Sequence, residues 1–163
     1  MNKPVYVRID NRLLHGQVVQ FWIPHLKVDN LLVADDEVFS NNQMQLIYRL
    51  ALPADVAITF VSVDDLASEF DKLPDNSTSL VLIRSIENLV RARGCGCKII
   101  RIMLGNIHAT PERKRVTDAV YLSDEECEIL CNLKKTGIEV EIQTFPGDSL
   151  RCVLVEGGCK WSK

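Results

Sequence analysis

The stretch Pro4-Val-Tyr-Val-Arg-Ile-Asp10, followed by Asn11-Arg-Leu-Leu-His-Gly-Gln-Val18, decides the fold. Val5, Val7 and Ile9 alternate with Tyr6 and Arg8, which is the period of a strand. Asp10-Asn11-Arg12 breaks the period as a short polar loop. From about Gly16 to Trp22 the spacing turns helical, and Pro24 is expected to end that helix. Strand, short loop and helix together form the unit from which parallel sheets are built.

Working outward, the alternation repeats. Leu31 to Ala34 reads as a buried strand closed by Asp35-Asp36. Ser40 is the expected N-cap of a helix with Met44, Ile47, Tyr48 and Ala51 on one side. Val56 to Val61 and Leu80 to Ile83 read as strands, and Ser62 to Phe70 as a helix between them. Ser85 starts a helix to about Arg93, with Gly94 as its stop. Lys98 to Leu104 is strand-like, and Val116 to Tyr121 suggests a further short strand. Ser123 with Glu126 has capping-box spacing, opening a helix to about Lys135 that stops at Gly137. Ile138, Val140 and Ile142 alternate with Glu139, Glu141 and Gln143, the pattern of a half-exposed strand at or near a sheet edge.

This order predicts an α/β fold: an open, mostly parallel sheet with helices on both faces. Residues 1–163 read as one domain, with a core over about 4–146 and a weakly patterned tail, 147–163, whose Leu150 to Val155 stretch suits a last strand or helix. Ligands in such folds gather at the carboxyl ends of the strands. That rule puts Asp10 to His15, Asp35-Asp36, Arg84-Ser85 and Gly105 to His108 on one rim.

Composition narrows the function. The formal net charge is −3, which gives no general argument for nucleic acid or an anionic membrane as partner. The N-terminus reaches Arg8 and Asp10 before any long apolar run, so no signal peptide is expected. No run approaches the roughly 20 apolar residues of a membrane span, and a cytoplasmic location follows. The cysteines are Cys95, Cys97, Cys127, Cys131, Cys152 and Cys159. Without a secretion signal they are expected to be reduced thiols. Their spacings do not match the common paired C-x-x-C zinc pattern, and Cys127 and Cys131 stand as two small core residues on a helix would.

The chemistry concentrates around His15. A phosphoryl acceptor needs a neutral imidazole, which histidine supplies near neutral pH, and cations or N–H groups facing the phosphate oxygens. Arg12, three residues away, offers a planar guanidinium for bidentate contact. Arg8 suits orienting Asp10 or adding positive field. Gly16 and Gln17 present backbone N–H groups at a helix start, and Asp10 suits fixing the imidazole tautomer or holding Arg12. The same residues also fit a histidine bonded only to backbone, with surface arginines in salt bridges. His108 is a candidate on the same rim, while Trp22 suits the core or a partner surface.

Arg8-Ile-Asp-Asn-Arg-Leu-Leu-His-Gly-Gln-Val18, with Trp22 after it, resembles the active-site signature of mannose/fructose/sorbose-type enzyme IIB of the bacterial phosphotransferase system. Val33-Ala-Asp-Asp-Glu-Val38, Ala51-Leu-Pro53, Leu104-Gly-Asn-Ile-His108, Ala119-Val-Tyr-Leu-Ser-Asp-Glu-Glu126 and Gly137 to Pro146 are similar to further stretches of that family. Asn11 departs from the pattern, where an acid is usual; its neutrality makes the pocket less negative. The cysteine-rich segments have no counterpart.

The resemblance implies a sugar-transport phosphocarrier, a protein-N(pi)-phosphohistidine–sugar phosphotransferase. His15 would accept phosphate from a phosphohistidine on IIA and give it to a sugar imported through membrane subunits IIC and IID. Arg12 would contact the phosphoryl group, and Asp10 would support from behind. The resemblance implies no cofactor and no metal, a possible homodimer, and a cytoplasmic chain peripherally associated with the permease. Two rival readings remain at this point: a regulatory histidine phosphorelay without transport, and a cysteine-ligated metal or redox module with His15 inert.

Overall fold

The computed structural model describes residues 4–163; Met1, Asn2 and Lys3, the start of the polar N-terminus, lie outside the described residues. Strand β1 (Val5–Asp10) leads into a helical segment that opens at Gly16, passes through a π-helical turn (Val18–Trp22) and ends as α1 (Ile23–Leu26). β2 (Asn30–Ala34), α2 (Asp36–Phe39), α3 (Asn42–Ala51), β3 (Ala57–Val61), α4 (Leu66–Phe70), β4 (Ser79–Ile83), α5 (Ile86–Gly94) and β5 (Arg101–Asn106) follow. A small antiparallel pair, β6 (Lys114–Arg115) and β7 (Tyr121–Leu122), precedes α6 (Asp124–Lys135), β8 (Glu139–Ile142), β9 (Leu150–Val155) and β10 (Gly158–Ser162).

The main sheet has eight strands in the order β10-β9-β8-β5-β1-β4-β2-β3. Every pairing from β8 to β3 is parallel, and β9 and β10 add an antiparallel hairpin at one edge. Two apolar clusters cover the two faces, as the expected fold requires. Val7, Ile9, Val81, Ile83 and Leu104 pack with residues of α5 and α6 on one side. Leu31, Val33, Leu80, Leu82 and Met103 pack with Trp22 and Ile23 on the other. After β1 the chain crosses to β2 over the second face. After β4 it crosses to β5 over the first. Loops that leave neighbouring parallel strands toward opposite faces open a crevice between them, and the loop carrying His15 lies there.

Several local expectations change. Pro24 does not end its helix; it sits in the first turn of α1. Proline's ring would collide with the carbonyl four residues back in a regular helix, and the wider π turn, with the Ile23 N–H bonded to Val18 O, relieves that crowding. The helix ends instead at Lys27, whose φ of 53° is left-handed. Ser40 is the C-cap of α2, and Asn41 is the N-cap of α3, accepting from the Gln43 and Met44 amides. On α3 only part of the expected apolar side packs inward: Met44 and Tyr48 are half-buried, whereas Leu46, Ile47 and Leu50 face out. The left-handed residue after α5 is Gly96 rather than Gly94. Val116 to Tyr121 is mostly the turn joining β6 to β7. β8 is not an edge strand, because the tail expected to be weakly patterned supplies β9 and β10 beyond it. The Ser123–Glu126 capping box forms as expected.

Candidate active site

Asp10 is the centre of the site. It ends β1, is fully buried, and lies opposite Asn106 of β5 across a register shift that leaves Gly105 unpaired. Its Oδ2 accepts from His15 Nε2 at 2.9 Å, from Asn106 Nδ2 at 2.8 Å and from Arg8 Nε at 3.3 Å. Its Oδ1 accepts from the Arg12 backbone N–H at 3.0 Å, a turn in which an aspartate mimics a backbone carbonyl. Burial alone would raise the Asp10 pKa. The hydrogen bond from His15, the Arg8 charge and the Asn106 amide outweigh it and bring the carboxyl below its usual value.

The loop between Asp10 and His15 is held from inside. The Leu13 N–H bonds to Asp10 O at 3.0 Å, and Leu13 adopts a φ of 54° with its side chain wholly buried. Left-handed backbone costs a branched side chain on the order of 1–3 kcal/mol, and burying a leucine returns about as much. The burial is therefore what lets the chain turn back so that His15 reaches Asp10. His15 is 14% exposed, and its carbonyl accepts the Val19 N–H at 3.1 Å, so it stands at the entry of the helical segment.

Arg8 lies beneath the site rather than in it. Its side chain is fully buried, so the sequence expectation of Arg8 as a phosphate- or partner-contacting cation does not hold; its other expected role, orienting Asp10, is the one its position allows. Nη1 donates to Gln143 O at 2.6 Å, and the guanidinium sits 4.8 Å from the Trp22 ring centroid. Trp22 itself is buried, with its Nε1 donating to Thr144 O. Burial pulls the Arg8 pKa down to about 10, against the raising effect of Asp10, which leaves it charged at neutral pH. Gly105 makes room for this side chain: a Cβ there would fall on Cζ and Nη2 of Arg8. Gly105→Ala should therefore cost roughly 2–3 kcal/mol, because the crowded group is a pinned, buried cation. Urea denaturation measures it, and a loss under 0.5 kcal/mol would contradict the packing described.

Asn11 ties three loops together. Its Nδ2 donates to Arg84 O at 2.8 Å, its Oδ1 accepts the His108 N–H at 2.7 Å, and its own N–H donates to Asn106 O. A carboxylate there could keep the His108 contact but not donate to Arg84, so the amide is suited to this chain. Arg84 in turn grips Asp35 through two bonds of 2.6 and 2.8 Å, and Asp35 also caps α2. Asp36 is spent on the Val63 N–H and Arg91.

The other expected site residues share this rim. Arg12 extends its exposed guanidinium to within 3.5 Å of Gln17 Oε1, and Gln17 Oε1 also accepts from Asn106 Nδ2 at 3.1 Å. Gly16 is exposed at the start of the helical segment. The side chain of His108 is exposed, with only its backbone engaged by Asn11 and Arg113. Asn106 was missed as a site residue; its signal was a polar residue directly after the buried run Ile102 to Gly105. The Gln143 and Thr144 carbonyls leave no such signal, because backbone groups carry no sequence.

Residues 4–154 match the model of the PTS system sorbose subfamily IIB component. The chain is 28% identical over 142 residues to the N-acetylgalactosamine-specific phosphotransferase enzyme IIB component 1 of Escherichia coli (strain K12), covering 86% of this chain and 90% of that one. It is 26% identical over 145 residues to the mannose-specific EIIAB component of the same organism, covering 86% of this chain and 44% of that one. The crystal structure of the E. coli N-acetylgalactosamine-specific IIB component 1 superimposes with a TM-score of 0.81 at 26% identity, over 89% of this chain and 96% of the other. Sequence and fold agree over nearly the whole length: the chain belongs to the sorbose-subfamily IIB components of the sugar phosphotransferase system.

Proposed function

We propose that Nδ1 of His15 accepts a phosphoryl group from a phosphohistidine of a IIA partner and passes it to a sugar. One observation carries the assignment, the 2.9 Å bond between His15 Nε2 and Asp10 Oδ2. An ionised carboxylate only accepts, so Nε2 holds the hydrogen and Nδ1 keeps the lone pair. Nδ1 attacks phosphorus as the donor's N–P bond breaks in line. Positive charge then builds on the ring, and the Asp10 carboxylate stabilises it. In the second transfer the sugar hydroxyl oxygen attacks phosphorus as the Nδ1–P bond breaks, the hydroxyl proton passes to solvent water, and the imidazole leaves. Because Nε2 keeps its hydrogen on Asp10 throughout, the leaving group is a neutral imidazole rather than an imidazolate.

Arg12 is the cation for the phosphate oxygens in this reading, and the first-turn amides of Gly16 and Gln17 are the N–H donors, since such amides have no helical carbonyl to bond. His108 stands ready to line the same anion. Family membership favours sugar transport over a purely regulatory relay and over a cysteine module with His15 inert. A IIA partner is supported by the mannose-specific relative, whose name joins A and B in one chain. IIC and IID subunits would present the sugar, with this chain docking peripherally. Among the described residues no helix is long and apolar enough to cross a membrane. The outward Leu46, Ile47 and Leu50 of α3 offer an apolar docking face beside the rim, because Tyr48 on the same helix packs against the cluster that holds Leu13 and Leu14.

The test supplies phosphoenolpyruvate, the general phosphotransfer proteins and a cognate IIA, and follows label on this chain. Wild type should carry acid-labile phosphate on Nδ1, read from ¹⁵N chemical shifts; phosphate on Nε2 would overturn the proposed geometry. Arg12→Ala should keep its fold and slow transfer by roughly a hundredfold, the usual loss when one charge-stabilising donor is removed. An unchanged rate would remove Arg12 from the phosphate.

A further inference from the structure

At the β9–β10 edge of the sheet, four of the six cysteines line one cleft. Cys127 and Cys131 come from α6, Cys152 from β9 and Cys159 from β10; Lys135 and Trp161 complete the wall around a space of about 420 Å³. All of them are free thiols. Cys159 shares the wall of this cleft with both Cys131 and Cys152. Phosphotransfer uses none of these groups, and β8 and β5 separate this hairpin from β1.

We propose that this cleft is a thiol–disulfide modification site in which Cys159 and Cys131 form a reversible bond that clasps the C-terminal hairpin to α6. The choice of pair follows from register. Cys159 is directly opposite Leu154, and Cys152 is directly opposite Trp161, so Cys152 and Cys159 are diagonal neighbours on one face. Diagonal Cα atoms in an antiparallel pair stand about 7–8 Å apart, beyond the roughly 4.4–6.8 Å that a disulfide spans. Cys131 approaches from the helix above and carries no such restriction. Among the described residues no group of three or more His, Cys, Asp or Glu is arranged to hold a metal ion, which leaves pairwise sulfur chemistry.

The oxidant is a low-mass disulfide, RSSR. Of the proposed pair Cys159 is partly exposed and Cys131 buried, so Cys159 reacts first; Cys127, also exposed, is the competing entry point that the peptide map distinguishes. The Cys159 thiolate attacks one sulfur of RSSR, expels RS⁻ and forms a mixed disulfide. The Cys131 thiolate then attacks the Cys159 sulfur and expels the second RS⁻. Two protein thiols are oxidised, RSSR is reduced to two RSH, and the two thiol protons end on those leaving groups. The neighbouring Cys159 thiol, then burial, raises the Cys131 pKa; burial raises that of Cys159, and the Lys135 charge opposes both rises. Little thiolate is present at neutral pH, so the reaction should quicken as pH rises toward 9.

The experiment treats the full chain with oxidised glutathione at pH 8, alkylates remaining thiols, and maps linked peptides by mass spectrometry without reductant. The expected product is a Cys131–Cys159 peptide pair two hydrogens lighter, reversed by dithiothreitol, with Tm raised by roughly 5–10 °C. Cys152→Ala should retain the link, whereas Cys159→Ala and Cys131→Ala should each lose both the link and the Tm rise. Phosphoryl labelling of His15 should change less than twofold on oxidation, so this result is independent of the phosphocarrier reading. A dominant Cys152–Cys159 pair, a link through Cys127, or mixed disulfides that are never resolved would each overturn the proposal.

Discussion

With phosphoenolpyruvate, the general phosphotransfer proteins and IIA present, the His15→Ala chain takes up no acid-labile phosphate while remaining folded. His15 is the imidazole at the rim whose Nε2 is anchored on Asp10, leaving Nδ1 unencumbered. Its removal takes a partly exposed ring from the crevice and leaves Asp10 with Arg8 and Asn106 as donors. The Tm should therefore stay within roughly 4 °C of wild type, equivalent to about 1 kcal/mol in a chain of this size. Equal labelling of the two chains would mean that phosphate resides elsewhere.

Asp10→Asn should be nearly as severe and more informative. The amide has the same shape, so the strand and its loop are retained. Asparagine also carries N–H donors, and one turned toward His15 makes Nε2 an acceptor. The ring hydrogen then moves to Nδ1, and the nucleophilic lone pair is lost. Enforcing the wrong tautomer of a catalytic histidine by this kind of change costs up to about 10⁴ in rate, and a loss of roughly 10³–10⁴ in single-turnover transfer is expected here. A rate within tenfold of wild type would sink the tautomer argument. Stability follows the same residue. The folded Asp10 pKa is lowered, so its contribution is present above the unfolded carboxylate value, near 3.9, and fades as pH falls through the lower folded value. Asp10→Asn should flatten that acid limb in a plot of Tm against pH.

Much of this was legible in the sequence because the relevant signals are local. Period-two alternation marks β1, and the short apolar runs at Leu31 and Leu80 mark β2 and β4. Ser85 and Ser123 announce their helices through capping bonds that need only a few neighbouring residues. The cluster of Asp10, Arg12 and His15 was legible for the same reason: it closes within one loop. Signals failed where distant packing decides. Ser40 and Asn41 are both good caps, and only the termination of α2 chooses between them. Arg8 reads as a surface cation until the fold shows that Gly105, Trp22 and two carbonyls from residues 143–144 enclose it. The tail reads as weakly patterned because β9 turns much of its apolar surface outward, with Val153, Leu154 and Val155 exposed.

The enclosure of Arg8 has a kinetic consequence. Arg8 and Gln143 are 135 residues apart in the chain, and Asp10 and Asn106 are 96 apart. β1 is made first but can be framed only after β4 and β5 arrive on its two sides, and its buried cation is capped only when the segment after β8 is in place. Such non-local closure slows folding relative to a chain of local contacts. The histidine loop, although it lies within the first twentieth to tenth of the sequence, should then be among the last parts of the molecule to become protected from hydrogen exchange during refolding. A nascent or truncated chain would display the motif without the Asp10 anchor that fixes the tautomer.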